Sequence, residues 1–85
     1  MKIGVAGSLE SNDAMITVTE GSGISITVKS IVYDFFGEAI EKTIRDTLSD
    51  MNIENIRVVC EDKGALDYTV RARLISAIAR MEDKK

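Results

Sequence analysis

The 85 residues contain no histidine and a single cysteine, Cys60. Without imidazole there is no triad in which histidine activates a serine or cysteine. One cysteine cannot close an internal disulfide, and a Cys/His zinc site has no ligands to draw on. Aromatics are few, with two tyrosines, two phenylalanines and no tryptophan, too few for platforms on which bases could stack. There is no basic surplus either: the net charge is -3 and the pI near 4.8, which counts against a nucleic-acid partner. Apolar runs extend only a few residues, short of a membrane span. The opening Met1-Lys2-Ile3-Gly4-Val5-Ala6-Gly7 lacks the long apolar stretch of a secretory signal, so a cytoplasmic protein is the default expectation. No glycine-rich loop of the dinucleotide or P-loop kind occurs.

The sequence does carry the means for one folded domain. Hydrophobic residues are 45% and charged residues 29% of the chain, a globular balance. At this length about 60% of the unfolded chain's surface is buried, too little for a deep cleft between domains. Residues 1–12, with Gly4, Gly7, Ser8, Ser11 and Asn12, lack helical periodicity and read as a mobile segment with at most a short strand at Ile3–Ala6. Residues 13–82 read as one α+β domain and 83–85 as a frayed tail. Ile16 and Val18 alternate with Thr17 and Thr19; Ile24, Ile26 and Val28 alternate with Ser25, Thr27 and Lys29. With Glu20-Gly21-Ser22-Gly23 between them, these runs predict a β-hairpin.

From Ile31 to Met51 the apolar residues Val32, Phe36, Ile40, Ile44, Leu48 and Met51 recur at helical spacing, with Ser30 as a possible N-cap. Tyr33, Phe35 and Phe36 read mostly as core, with one of them open to exposure for partner contact. Ile56, Val58 and Cys60 form a third alternating strand, which makes Cys60 a buried structural thiol. Asp67 is placed to cap a last helix bearing Val70, Leu74, Ile78 and Met81. The order β-β-α-β-α predicts a small sheet with two helices packed on one face, its strand–helix–strand unit a parallel crossover. The adjacent acids Glu61 and Asp62 read as a solvated strand end. Lys63 and Arg71 have no evident structural task, which leaves partner docking or phosphate binding open to them.

Two stretches carry a family resemblance. Ala6-Gly7-Ser8-Leu9-Glu10-Ser11-Asn12-Asp13, followed by Met15-Ile16, resembles the N-terminal signature of citrate lyase acyl carrier proteins, the gamma subunits. Asp62-Lys63-Gly64-Ala65-Leu66-Asp67, followed by Arg71-Ala72-Arg73-Leu74, is similar to the family's other marked segment, and Phe36-Gly37 followed by Ile40 also fits. Ser8 stands where many relatives have threonine, and Tyr68 where they often have cysteine. The resemblance implies a non-catalytic carrier with a phosphoribosyl dephospho-coenzyme A arm, a phosphodiester-linked group ending in a thiol, on Ser11. It further implies partners: an alpha (transferase) subunit, a beta (lyase) subunit and a prosthetic-group transferase. Glu10 and Asp13 would lie in the segment that the attaching enzyme recognises. Ser8 is the nearest competitor to Ser11. The alternatives are a malonate decarboxylase-type carrier, which uses the same kind of arm, and a small interaction module without one.

Overall fold

The computed structural model describes residues 2–31 and 33–83, with the side chains of all of these except Tyr33 and Asp34. Its elements are β1 (Ile3–Gly7), β2 (Ala14–Thr19), β3 (Ile24–Ser30), α1 (Tyr33–Asp50), β4 (Ile56–Asp62) and α2 (Asp67–Glu82). The fold is α+β as the sequence predicts, with one strand more. Residues 1–12, read as a mobile segment, include the five residues of β1, which pair antiparallel with β2 from Ile3↔Thr19 to Gly7↔Met15.

The predicted hairpin is not formed. The strand order is β1-β2-β4-β3, so β4 lies between the two runs that were expected to pair. It runs antiparallel to β2 (Ile16↔Cys60) and parallel to β3 (Val28↔Cys60). The physical reason is burial. In β4, Ile56, Val58 and Cys60 are fully buried, whereas in β3 every residue is exposed or half-buried. The more apolar strand takes the centre, and the half-polar one takes the edge. Gly21, read as a hairpin glycine, instead lets the β2–β3 connection cross over the start of β4. A Cβ there would stand 3.2 Å from the Arg57 nitrogen and the Ile56 carbonyl carbon.

One face of the sheet (Ala14, Ile16, Val18, Ile56, Val58, Cys60) meets Ile40, Ile44 and Leu48 of α1 and Val70, Leu74, Ala77 and Ile78 of α2 in a single core. The helical stripe predicted for α1 therefore does the packing, except at its N-terminal end. Phe35 and Phe36, expected mainly in the core, are 83% and 57% exposed; Val32 and the side chain of Tyr33 lie outside the described residues. Helix α1 ends in a Schellman motif. Asn52, at φ 58°, donates to the Ser49 carbonyl, and Ile53 N–H to that of Leu48. Asp67 is the first residue of α2 rather than its cap; Leu66 takes that place in extended conformation, with no side-chain capping bond. Of the tail, Asp83 closes α2 through its N–H to the Ala79 and Arg80 carbonyls, and 84–85 lie outside the described residues. Among the described residues no helix is long and apolar enough to cross a membrane.

Candidate functional site

Gly7 ends β1 at φ +94°, and a Cβ on it would fall on the Ala14 carbonyl oxygen. Only glycine satisfies both conditions, and the chain turns away here into the loop 8–13. Asp13 N–H donates to the Glu10 carbonyl at 3.1 Å, closing a four-residue turn with Ser11 and Asn12 at its corners. Asn12 has φ +67°, the positive value that the third position of a type II turn requires and asparagine tolerates. Ser11 is thereby held at the outer corner. It is exposed.

The loop is tied to the rest of the molecule at its back. Asn12 N–H donates to the Lys63 carbonyl (2.8 Å) and Lys63 N–H to the Asp13 carbonyl (2.9 Å), which extends the β2–β4 ladder past Asp62. The Asp13 carboxylate accepts from Arg73 Nε (2.9 Å) and Nη2 (3.0 Å), from Ser8 Oγ (2.7 Å) and from Ala14 N–H (2.7 Å). The paired Arg73 bonds, then Ser8 and Ala14, hold its pKa down at about 2, because each donor favours the charged form.

Asp62 orders the facing segment. It is almost wholly buried, which corrects the reading of Glu61-Asp62 as a solvated pair. Its carboxylate accepts from Ser30 Oγ (2.8 Å), Gly64 N–H (3.1 Å) and Ala65 N–H (2.9 Å). With Gly64 at φ +95°, this forms the tight passage from β4 into α2. A Cβ on Gly64 would lie 3.6 Å from Asn12 Oδ1, so the two stretches that carry the family resemblance meet in space.

Individual residues now have places. Ser8 Oγ is committed: it donates to Asp13 and accepts from Glu10 N–H at 3.3 Å. Ser11 makes no side-chain hydrogen bond to any described residue. Asp13, expected to face an attaching enzyme, is engaged internally, whereas Glu10 is exposed. Arg71 has a structural task after all. It donates to Thr47 Oγ1 (3.2 Å) and Asp50 Oδ2 (3.0 Å) and so joins α2 to α1. The arginine that matters to the loop is Arg73. No periodicity in the sequence links it to Asp13, 60 positions away; only the presence of each in a family-like stretch pointed to them. Lys63 contributes its backbone to the loop, and its side chain forms no ion pair among the described residues. Cys60 is fully buried, and burial foremost, with Asp62 and Glu61 nearby, pushes its thiol up to about 12, so it stays protonated and unreactive at neutral pH. Among the described residues no group of three metal-ligating side chains gathers.

The two stretches that resemble one family thus lie together around an ordered loop with Ser11 exposed at its corner. The family described as the malonate decarboxylase delta subunit (MdcD) acyl carrier family matches residues 1–81. Proteins named citrate lyase acyl carrier protein are similar over most of their length. That of Lacticaseibacillus casei (strain BL23) is 46% identical over 81 residues, covering 94% of this chain and 80% of the relative. That of Fusobacterium nucleatum is 46% identical, covering 92% and 85%, and that of Treponema denticola 36% identical, covering 94% and 92%. The chain belongs to this acyl carrier family.

Proposed function

We propose that this protein is the acyl carrier subunit of a citrate lyase, with a phosphoribosyl dephospho-coenzyme A arm joined through a phosphodiester to Ser11 Oγ. The observation that carries the site is the contrast between the two loop serines. Ser11 Oγ is exposed at the corner of a turn and bonds to no described residue, while Ser8 is held by Asp13 at 2.7 Å. The family description names malonate decarboxylase; the named relatives at 36–46% identity favour citrate lyase.

When attached, the arm supplies a thiol that holds acetyl or citryl groups as thioesters. The chain's own residues do other work. Asp13, Arg73 and Asn12 fix the loop against β4 and α2, so the hydroxyl is presented at a constant place. The buried Cys60 thiol stays out of acyl exchange. A tethered acyl group reaches each partner's active site at high effective concentration, which lets the carrier be non-catalytic between a transferase (alpha) and a lyase (beta) subunit.

Intact mass and peptide mapping of protein co-expressed with its attaching enzymes test the assignment. One adduct on Ser11 is expected, abolished in Ser11→Ala and retained in Ser8→Ala. An adduct that survives Ser11→Ala, or an unmodified wild-type protein under these conditions, overturns the reading.

A further inference from the structure

Two serines share the loop 8–13, and the backbone alone does not choose between them. Gly7↔Met15 is the last register pair of β1 and β2, so Ser8 and Asp13 stand at the base of the loop and Ser11 at its tip. Across that base Ser8 Oγ donates to Asp13 Oδ2 at 2.7 Å and accepts from Glu10 N–H at 3.3 Å. The Asp13 carboxylate is itself held. Arg73 Nε and the Ala14 N–H donate to Oδ1 at 2.9 and 2.7 Å, and Arg73 Nη2 donates to Oδ2 at 3.0 Å. Turning the carboxylate away from Ser8 would break the Arg73 pair and the Ala14 bond together. Gly7 makes room for the arginine: a Cβ there would lie 3.2 Å from Arg73 Cδ. The Asp13 side chain is 16% exposed and Ser8 is half-buried, whereas Ser11 is exposed. Nor does the carboxylate serve Ser8 as a base. With its pKa at about 2, it has little affinity for the serine proton.

We infer that Asp13 is the specificity-determining residue of the loop: it withholds the Ser8 hydroxyl and so leaves Ser11 as the loop serine open to attachment. Arg73 is a positioning residue that acts through Asp13. The inference rests on Ser11 being the attachment residue, and goes beyond that reading by naming what excludes its neighbour. A serine oxygen becomes a nucleophile by turning a lone pair outward and losing its proton. Ser8 has its proton directed at Asp13 and must first give up a hydrogen bond to a carboxylate, which is stronger than one between neutral groups. Ser11 has no such bond to give up among the described residues.

The test maps adducts by peptide mass spectrometry in protein co-expressed with its attaching enzymes. Wild type, Asp13→Ala, Ser11→Ala and the double variant Ser11→Ala/Asp13→Ala are compared, with Arg71→Met on the same helix as control. Circular dichroism melting checks each fold. Asp13→Asn carries the test if Asp13→Ala melts early, with a smaller rise expected because a neutral acceptor holds Ser8 less tightly. The ratio of Ser8 to Ser11 adduct is expected to rise about tenfold or more in Asp13→Ala. In Arg71→Met it should stay within about twofold of wild type. Ser11→Ala is expected to carry no adduct, and the double variant to regain one on Ser8. A role confined to fold stability would lower the total adduct without moving the ratio. A folded Asp13 variant with the wild-type ratio, or with no adduct on either serine, would overturn the inference while leaving Ser11 in place. No adduct on wild-type Ser11 would instead overturn the functional reading beneath it. Unmodified protein gives a second measurement by nuclear magnetic resonance. Three-bond couplings are expected to show one χ1 rotamer at Ser8 in wild type and averaging in Asp13→Ala. Averaging at Ser8 in wild type would also overturn the inference.

Discussion

The two ends of the sheet are built differently. At the Ser11 end, side chains hold the backbone: Asp13 gathers Arg73, Ser8 and Ala14, and Asp62 gathers Ser30, Gly64 and Ala65. At the far end the described residues show backbone bonds, Ile56 N–H to the Gly23 carbonyl (2.9 Å) and the Schellman bonds after α1, beside an exposed side-chain contact from Gly23 N–H to Asn55 Oδ1. The end that uses two carboxylates, one of them buried, to set loop geometry is also the one that leaves phenylalanines in water. The side-chain bonds fit the proposed attachment of an arm at Ser11, which needs one hydroxyl held in a fixed place. The far end has only to return the chain.

The largest stability difference between the ends is expected from matched glycine substitutions. Gly7→Ala drives a methyl into the Ala14 carbonyl at a positive φ and should destabilise by about 3 kcal/mol or more. Gly23→Ala has the same kind of φ but nothing within 4 Å of the new Cβ and should cost about 1 kcal/mol. Equal losses in urea denaturation would show that the crowding at Gly7 is relieved by small backbone shifts.

Removing one acceptor from each end is the next comparison. Asp62→Ala removes the acceptor of three hydrogen bonds, from Ser30 Oγ and from the Gly64 and Ala65 N–H groups, and should destabilise by roughly 2–4 kcal/mol. Asn55→Ala removes a single exposed bond and should cost about 1 kcal/mol or less. If the two variants unfold at the same denaturant concentration, Asp62 does not organise its end of the fold.

The smallest contrast is in acid. Asp13 has its pKa lowered from 3.8 to about 2, so its contribution is present above the unfolded value near 4. As pH falls from about 4 towards 2 the unfolded chain takes up the proton first, and that contribution is progressively lost. Asp13→Asn should flatten the dependence of stability on pH across this window and, by loosening the loop, raise hydrogen exchange at Asn12 and Lys63. An unchanged acid limb in Asp13→Asn would show that other carboxylates dominate there.

The period-two runs of β2, β3 and β4 were legible because each strand has one face on the core, and the Ile40, Ile44, Leu48 stripe because a helix buries one side. The hairpin was misread because alternation and a glycine turn report that two strands exist, not which strand lies between them. Both Phe35 and Phe36 lie outside the core, where one exposed aromatic was expected, because hydrophobicity predicts burial on average and is silent about which end of a helix overhangs the sheet. Asp62 looked solvated beside Glu61 because a strand sends adjacent side chains to opposite faces, and only the fold shows which face is covered.

The sequence alone determined an acidic α+β carrier without imidazole chemistry, and its two family-like stretches singled out Ser11. Tertiary structure decided that those stretches touch and that Ser8 is occupied while Ser11 is open. It also decided that Arg73 rather than Arg71 supports the loop. Local patterns fix which face of an element is apolar, because that depends on neighbours along the chain. Contacts between Asp13 and Arg73, or Asn12 and Gly64, depend on strand order, which is settled only when all the elements compete for one core.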